Sequence, residues 1–194
     1  DKNIESKNDT DDLFQIDSIT HINEFRIEID KEYLMGLEAL LPKTEKCLKV
    51  RYKYVPLKKI SIDNMYPDGK AFVRLRGYCN THWYSKQKSL KIRLKSDKLL
   101  GYKTFNLNAM TTDPMLFDKF YGDLLTKYGG ISSKIKFVKL YINGEYNGLR
   151  QLVQNLDDDL IQNNDLELGS IYRERTQANF GDDLPLWKLK TIWK

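Results

Sequence analysis

The amino-acid sequence predicts an α+β domain, an antiparallel sheet with packed helices. Three observations predict it. Several short runs alternate apolar and polar residues with the period of two that a half-buried strand requires. Two stretches repeat apolar residues at the three-to-four spacing of a helix. An Asn143-Gly144 pair between two β-rich runs marks a tight type I′ hairpin, because both turn positions of that type need a left-handed backbone. At 194 residues the chain has the length of about one domain, enough to bury a core.

The elements follow in chain order. Residues 1–21 are polar and acidic without periodicity and read as a flexible leader, with the domain itself over 22–194. FRIEID alternates as a strand, and Asp30 stands where an N-cap would precede the helix KEYLMGLEALL. Leu34, Leu37, Leu40 and Leu41 give that helix one apolar stripe, and Pro42 ends it. CLKVRYKYVPL, AFVRLRGY and KSLKIRLK are neighbouring strands, separated by turn chemistry such as Tyr66-Pro67-Asp68-Gly69. KTFNLNAM continues the pattern, with Phe105, Leu107 and Ala109 on one face and Asn106 and Asn108 on the other.

Asp113-Pro114 starts the second helix and Gly129-Gly130 stops it. Its stripe of Leu116, Phe117, Phe120, Tyr121, Leu124, Leu125 and Tyr128 is assigned to the core. After the hairpin, Asp157, Asp158 and Asp159 precede a short helix, and GSIYRER reads as a further strand.

Charge is uneven. Residues 1–45 carry 5 Lys/Arg against 12 Asp/Glu, whereas residues 46–103 carry 16 against 3. Such a cationic block attracts polyanions, whether nucleotide phosphates, nucleic acid or acidic surface polymers; it is equally a solvated sheet face balanced by the acidic N-terminal third. No run approaches the roughly 18 apolar residues of a membrane span. With Asp1 in place of Met, the chain is expected to be a processed or excised piece. Cys47 and Cys79 can form one disulfide, which is no framework and leaves the redox compartment open.

Among residues able to carry chemistry, Lys88 is in phase with Leu90, Ile92 and Leu94 and so projects toward the apolar side of its strand. A lysine there suits a nucleotide-phosphate contact in a low-dielectric cleft; alternatively it lies at the sheet edge and reaches solvent. Arg74 and Arg76 share a face with Phe72 and offer bidentate forks for phosphate or carboxylate, or partners for the acidic segments. P-loop, dinucleotide-binding and nucleophile-elbow motifs are absent. Cys79 and His82 form a Cys-x-x-His pair, but Cys47 and His21 supply no second close pair for zinc. Asp157 to Asp159 suit a metal or, more simply, a helix start.

VRLRG, KQKSLKIRLK, LLGYKTFNLNAMTTDP, KFVKLYINGEYNGLRQLV and GSIYR together resemble, in this order, the pattern of the spore-coat CotH kinase family over roughly residues 25–175. The resemblance implies part of a distant, atypical protein-kinase-like fold, and an activity that uses ATP and a divalent metal, magnesium, to phosphorylate Ser or Thr of secreted or coat proteins. It also implies an extracytoplasmic setting. Carried over by position, Lys88 matches the second lysine of the family's K-K-S, with Gln87 in place of the first, and is a candidate contact for ATP phosphates. Arg76 matches the R-G before that strand and is expected to help Lys88. Gln154 stands where the family has a glutamate near the connection between lobes, and Arg150 replaces its tyrosine after Gly-Leu.

The family's catalytic and metal-binding aspartates fall after the GSIYR-like strand, and Asp182 and Asp183 do not reproduce their context, so the chain is expected to lack the catalytic portion. Two alternatives remain. One is a non-catalytic module of the same fold that holds an acidic coat or surface partner through the basic 46–103 face. The other is nucleic-acid binding, with Tyr52, Tyr54, Trp83 and Tyr84 stacking on bases.

Overall fold

Alternating runs become strands of one eight-stranded sheet in the computed structural model, which describes residues 21–41, 52–77, 82, 87–110 and 115–170. The leader, Pro42, both cysteines, Trp83, Tyr84, Asp113-Pro114, the strand read at GSIYRER and Asp182-Asp183 lie wholly or mostly outside those residues. The elements are β1 (Asn23–Glu28), α1 (Lys31–Ala39), β2 (Val55–Pro56), β3 (Lys59–Ile62), β4 (Ala71–Leu75), β5 (Leu90–Leu94), β6 (Thr104–Ala109), α2 (Met115–Lys127), β7 (Ile135–Ile142), β8 (Glu145–Gln154) and α3 (Asp158–Gln162). The α+β class holds. The sheet is mixed, however: β1 runs parallel to β7, with Phe25 opposite Leu140, and the other pairings are antiparallel. Alternation says which face a residue occupies, but nothing in it says which strand lies beside which, and β1 pairs across more than a hundred residues.

Strand order is β2-β4-β5-β6-β8-β7-β1-β3. The first and last members belong to one short stretch of chain. Val55 and Pro56 pair with β4, whereas Lys59 to Ile62 pair with β1. At the crossover the Leu57 amide donates to the Ala71 carbonyl at 2.9 Å and the next amide, Lys58, donates to the Glu28 carbonyl at 2.8 Å. The sheet therefore curls until residues 55–62 hold both of its ends. Curling brings inner faces together: Phe25 on β1 and Phe105 on β6 meet edge to face at 5.7 Å, although two strands separate them in the sheet.

Register shows which side is the core. Leu75, Leu90, Leu107 and Leu152 stand in line across β4, β5, β6 and β8, and all are buried. Ile27, Ile60, Val138 and Leu140 continue that face through β1, β3 and β7. Phe105, Leu107 and Ala109 are fully buried, as the alternation of KTFNLNAM predicts. Asn106 and Asn108 point to the other face.

The turns follow their residues. Asn143 and Gly144 have φ of 51° and 86°, the two left-handed positions of a type I′ turn, and they join β7 to β8. At the end of α2 the Gly130 amide donates to the Leu125 carbonyl and the Gly129 amide to that of Thr126, with Gly129 at φ 79°. These are the paired bonds of a Schellman stop, which glycine permits because it has no Cβ to clash.

Two helix expectations change. Asp30 occupies the N-cap position of α1 without capping it, because its carboxylate is drawn to Lys58 instead. The apolar stripe of α2 is not core: Phe117 is 56% exposed, Phe120 58%, Tyr121 62% and Tyr128 78%, and Leu116, Leu124 and Leu125 are exposed with them. Helical spacing reports that a helix has an apolar side, not that a neighbour covers it. Phe117 and Phe120 instead each pack on Tyr121, with ring centroids 6.1 and 5.6 Å away. No helix among the described residues is long and apolar enough to cross a membrane.

Candidate functional site

A cavity of about 920 Å³ opens on the core side of the sheet. Its walls come from the end of β1 and the start of α1, from Val73 and Leu75 on β4, from Lys88 and Leu90 at the start of β5, and from the β7–β8 hairpin. Asn143 ties these walls together. Its amide donates to the Ile27 carbonyl at 2.9 Å and its side-chain oxygen accepts from the Ile29 amide at 2.8 Å. The hairpin is thus fastened to the point where β1 hands over to α1.

Lys88 lies in the cavity wall, half-buried beside Leu90 and in phase with the apolar side of β5. Burial pushes its ammonium below the ordinary lysine value, since a low-dielectric wall disfavours the charged form, and the carboxylate of Glu38 on α1 partly restores it. Glu38 lines the same cavity. The sequence shows Glu38 only as a helix-surface acid. Its meeting with Lys88 depends on α1 folding over a strand fifty residues downstream.

The three positions named from the sequence are not brought together. Arg76 follows the β4 alternation onto the face opposite Val73 and Leu75, and there it donates to the Asn108 side chain. Its backbone continues the ladder by donating to the Ser89 carbonyl at 3.0 Å. Burial lowers the Arg76 pKa, with Arg74 adding to the effect, but its charge lies across the sheet from Lys88. Gln154 is 1% exposed at the far end of β8, where its side-chain oxygen accepts from the Lys134 amide at 3.2 Å. Through Phe105 it stands level with Ile92, four residues along from Lys88, or about 13 Å at strand rise.

The histidines also separate. His82 bonds Ser89 Oγ at 3.3 Å, and burial, aided by Arg76, lowers its pKa. His21 sits 3.4 Å from Asp63. Among the described residues no three His, Cys, Asp or Glu side chains gather to hold a metal ion. Asp159 lies inside α3, where burial raises its pKa but the Lys98 and Lys103 contacts outweigh that and hold it low; its oxygens meet Lys98 and the Lys103 amide, both at 2.7 Å.

The cationic block 46–103 is divided by the fold. Lys88 faces the cavity and Lys58 and Lys98 pair with acids, whereas Arg74 and Arg93 flank the Tyr54 ring on the opposite face at 5.3 and 5.9 Å. Tyr52, one of the proposed base-stacking residues, is 7% exposed and belongs to the core, where it offers no ring face to a base.

In the sequence, Gln87 and Arg150 are two separate departures from one pattern. They touch: Arg150 Nη1 donates to Gln87 Oε1 at 2.9 Å. Two departures within one pattern are themselves a signal of contact, since replacing one side of a pair leaves the other to be refitted.

No curated protein matches the chain. A family model described as CotH kinase protein matches residues 73–190, from β4 through the hairpin and beyond α3, which is more than half of the sequence. With the strand, helix and hairpin order of that segment present in the fold, the chain belongs to the CotH kinase protein family.

Proposed function

We propose that the cavity binds ATP with Lys88 against its phosphates, and that the domain serves phosphoryl transfer to Ser or Thr of secreted or coat proteins. The observation that carries this reading is a lysine set in the wall of a cavity of about 920 Å³, next to Val73, Leu75 and Leu90. That volume lies within the range of roughly 300 to 1,000 Å³ typical of small-molecule sites. Lys88 would hold the phosphates, and the apolar side chains beside it would meet the base. Partial burial strengthens the lysine's attraction for an anion, because water screens it less. Glu38 offsets part of the lowering of the amine's pKa that this burial causes.

Bound ATP supplies the phosphoryl group. Among the described residues no three His, Cys, Asp or Glu side chains gather to hold a magnesium ion beside it. A titration of ATP with magnesium into the 194-residue chain tests the reading. Saturable binding that weakens about tenfold or more in Lys88→Ala is expected, in line with loss of a charged contact. Equal affinity in the variant removes Lys88 from the site.

A second reading, a non-catalytic module for an acidic partner, draws on Arg74 and Arg93 around Tyr54 on the face away from the cavity. Binding of an acidic polypeptide that falls steeply with salt, ignores ATP and is lost in Arg93→Ala would favour it.

A further inference from the structure

Arg150 is fully buried on β8, and no carboxylate meets it among the described residues. Its Nη1 donates to Gln87 Oε1 at 2.9 Å and to the Leu149 carbonyl at 3.0 Å, and its Nη2 donates to Asn147 Oδ1 at 2.5 Å. Nε finds no partner among the described residues. A buried guanidinium satisfied only by neutral oxygens is a poor way to stabilise a core, since an apolar side chain of similar volume fills the space without desolvating a charge. What the planar fork supplies is geometry: it spans two acceptors at a fixed separation, which a lysine's single nitrogen does not.

The two acceptors are placed where that geometry counts. Gln87 immediately precedes Lys88, and both stand before β5 enters its ladder at Leu90. Asn147 lines the cavity from the hairpin side. Between Asn147 and Arg150 lies Gly148, at φ 92°, where a Cβ would run into the Gln87 amide. Glycine therefore lets the Gln87 side chain lie against β8 where the arginine reaches it.

We propose that Arg150 is a positioning residue: its fork clamps Gln87 to Asn147, joins two walls of the cavity and so sets where Lys88 projects. The clamp deepens the nucleotide reading and rests on it only for the identity of the ligand. Loss of the clamp frees the 87–88 segment, and the Lys88 amine moves out of the apolar wall toward water.

The test is the pH profile of Lys88 acylation by an amine-reactive ester, read by peptide mass spectrometry without nucleotide. ATP affinity with magnesium is measured beside it. The charged groups sharing the cavity with Lys88 are Glu38 and Lys31 on α1, Asp30 with its partner Lys58, Glu28, and Glu145 on the hairpin. All are unaltered in the variants. Burial holds the Lys88 amine low, so its profile in Arg150→Met should shift upward by about half a pH unit or more, toward the ordinary lysine value. The profile of Lys136, exposed on β7, should stay in place. Arg150→Lys, which keeps the charge and loses the fork, should shift like Arg150→Met.

The profile decides the clamp. A folded Arg150→Met with an unchanged Lys88 profile overturns it, as does full restoration by Arg150→Lys. Should Arg150→Met fail to fold, Gln87→Met removes the same bond from the partly exposed side and must give the same shift. The affinity decides the nucleotide reading separately. A shifted profile in a chain that binds no ATP keeps the clamp and discards the nucleotide; ATP binding that depends on Lys88 with no profile shift does the reverse.

Discussion

Two phenylalanines that look alike in the sequence should behave very differently when cut back to alanine. Phe105 on β6 is fully buried and packs edge to face on Phe25 at 5.7 Å. Its removal takes away the whole burial of the ring and leaves a cavity in a curled sheet that cannot easily collapse, a loss of about 3 to 5 kcal/mol. Phe120 on α2 is 58% exposed. Full burial of such a side chain is worth about 1.5 to 3 kcal/mol, so the covered two-fifths is worth roughly 1 kcal/mol. Alanine is also the better helix former by about half a kcal/mol. The net cost of Phe120→Ala is then about 0.5 kcal/mol. Equilibrium urea unfolding of the wild type and both variants measures the difference, with the m-value checked for constancy. If Phe105→Ala is too unstable to study, Phe105→Leu keeps most of the volume and should still cost more than Phe120→Ala. Equal losses at the two sites would refute the placement of the α2 stripe in solvent.

Gly77 has φ 97°, and a Cβ there would strike the His82 ring, so Gly77→Ala should destabilise by about 2 kcal/mol or more in urea unfolding, whereas Gly144→Ala, strained in φ but facing open space, should cost about 1 kcal/mol. Glu38→Gln removes the charge that raises the Lys88 pKa, so the Lys88 acylation profile should move to lower pH, opposite to the shift expected on losing Arg150. The Asp159 carboxyl is held below its ordinary value, so its stabilisation is complete above about pH 4 and is lost as pH falls through the lower folded value. Unfolding of wild type and Asp159→Asn from pH 7 down to pH 2 should therefore show a gap that is constant at neutral pH and closes in acid.

Much of the inner face could be read before the fold was seen, because alternation is a local property of a strand. Phe105, Leu107, Ala109 and the phase of Lys88 all follow from it, as does the Asn143-Gly144 turn from its need for two left-handed residues. What stayed hidden is set by contacts between distant segments. The four residues of β3 are too few to show a period, and they exist because β1 is there to pair with. The parallel β1–β7 pairing has no local signature. Arg76 and Lys88 stand close together in the family pattern, yet one step of alternation sends them to opposite faces. Glu38, Asn147 and the Gln87–Arg150 contact belong to the site only through the closing of α1 and the hairpin over the start of β5.

The stretch 55–62 that holds both ends of the sheet also changes how the domain meets other chains and how it comes apart. An open sheet leaves two rows of unpaired amides and carbonyls on which a foreign strand can grow, and these are usually the first to exchange with solvent. Here the outermost strands are successive segments of one short stretch, so neither row is long, and the Leu57 and Lys58 amides and those of β3 should keep their protons nearly as long as the amides of β1 and β4 do. The arrangement concentrates that protection in one place. A single protease cut between Leu57 and Lys58 would separate the bonds to Ala71 from those to Glu28, unzip the sheet from both sides at once and turn a self-sealed domain into one prone to edge-to-edge aggregation.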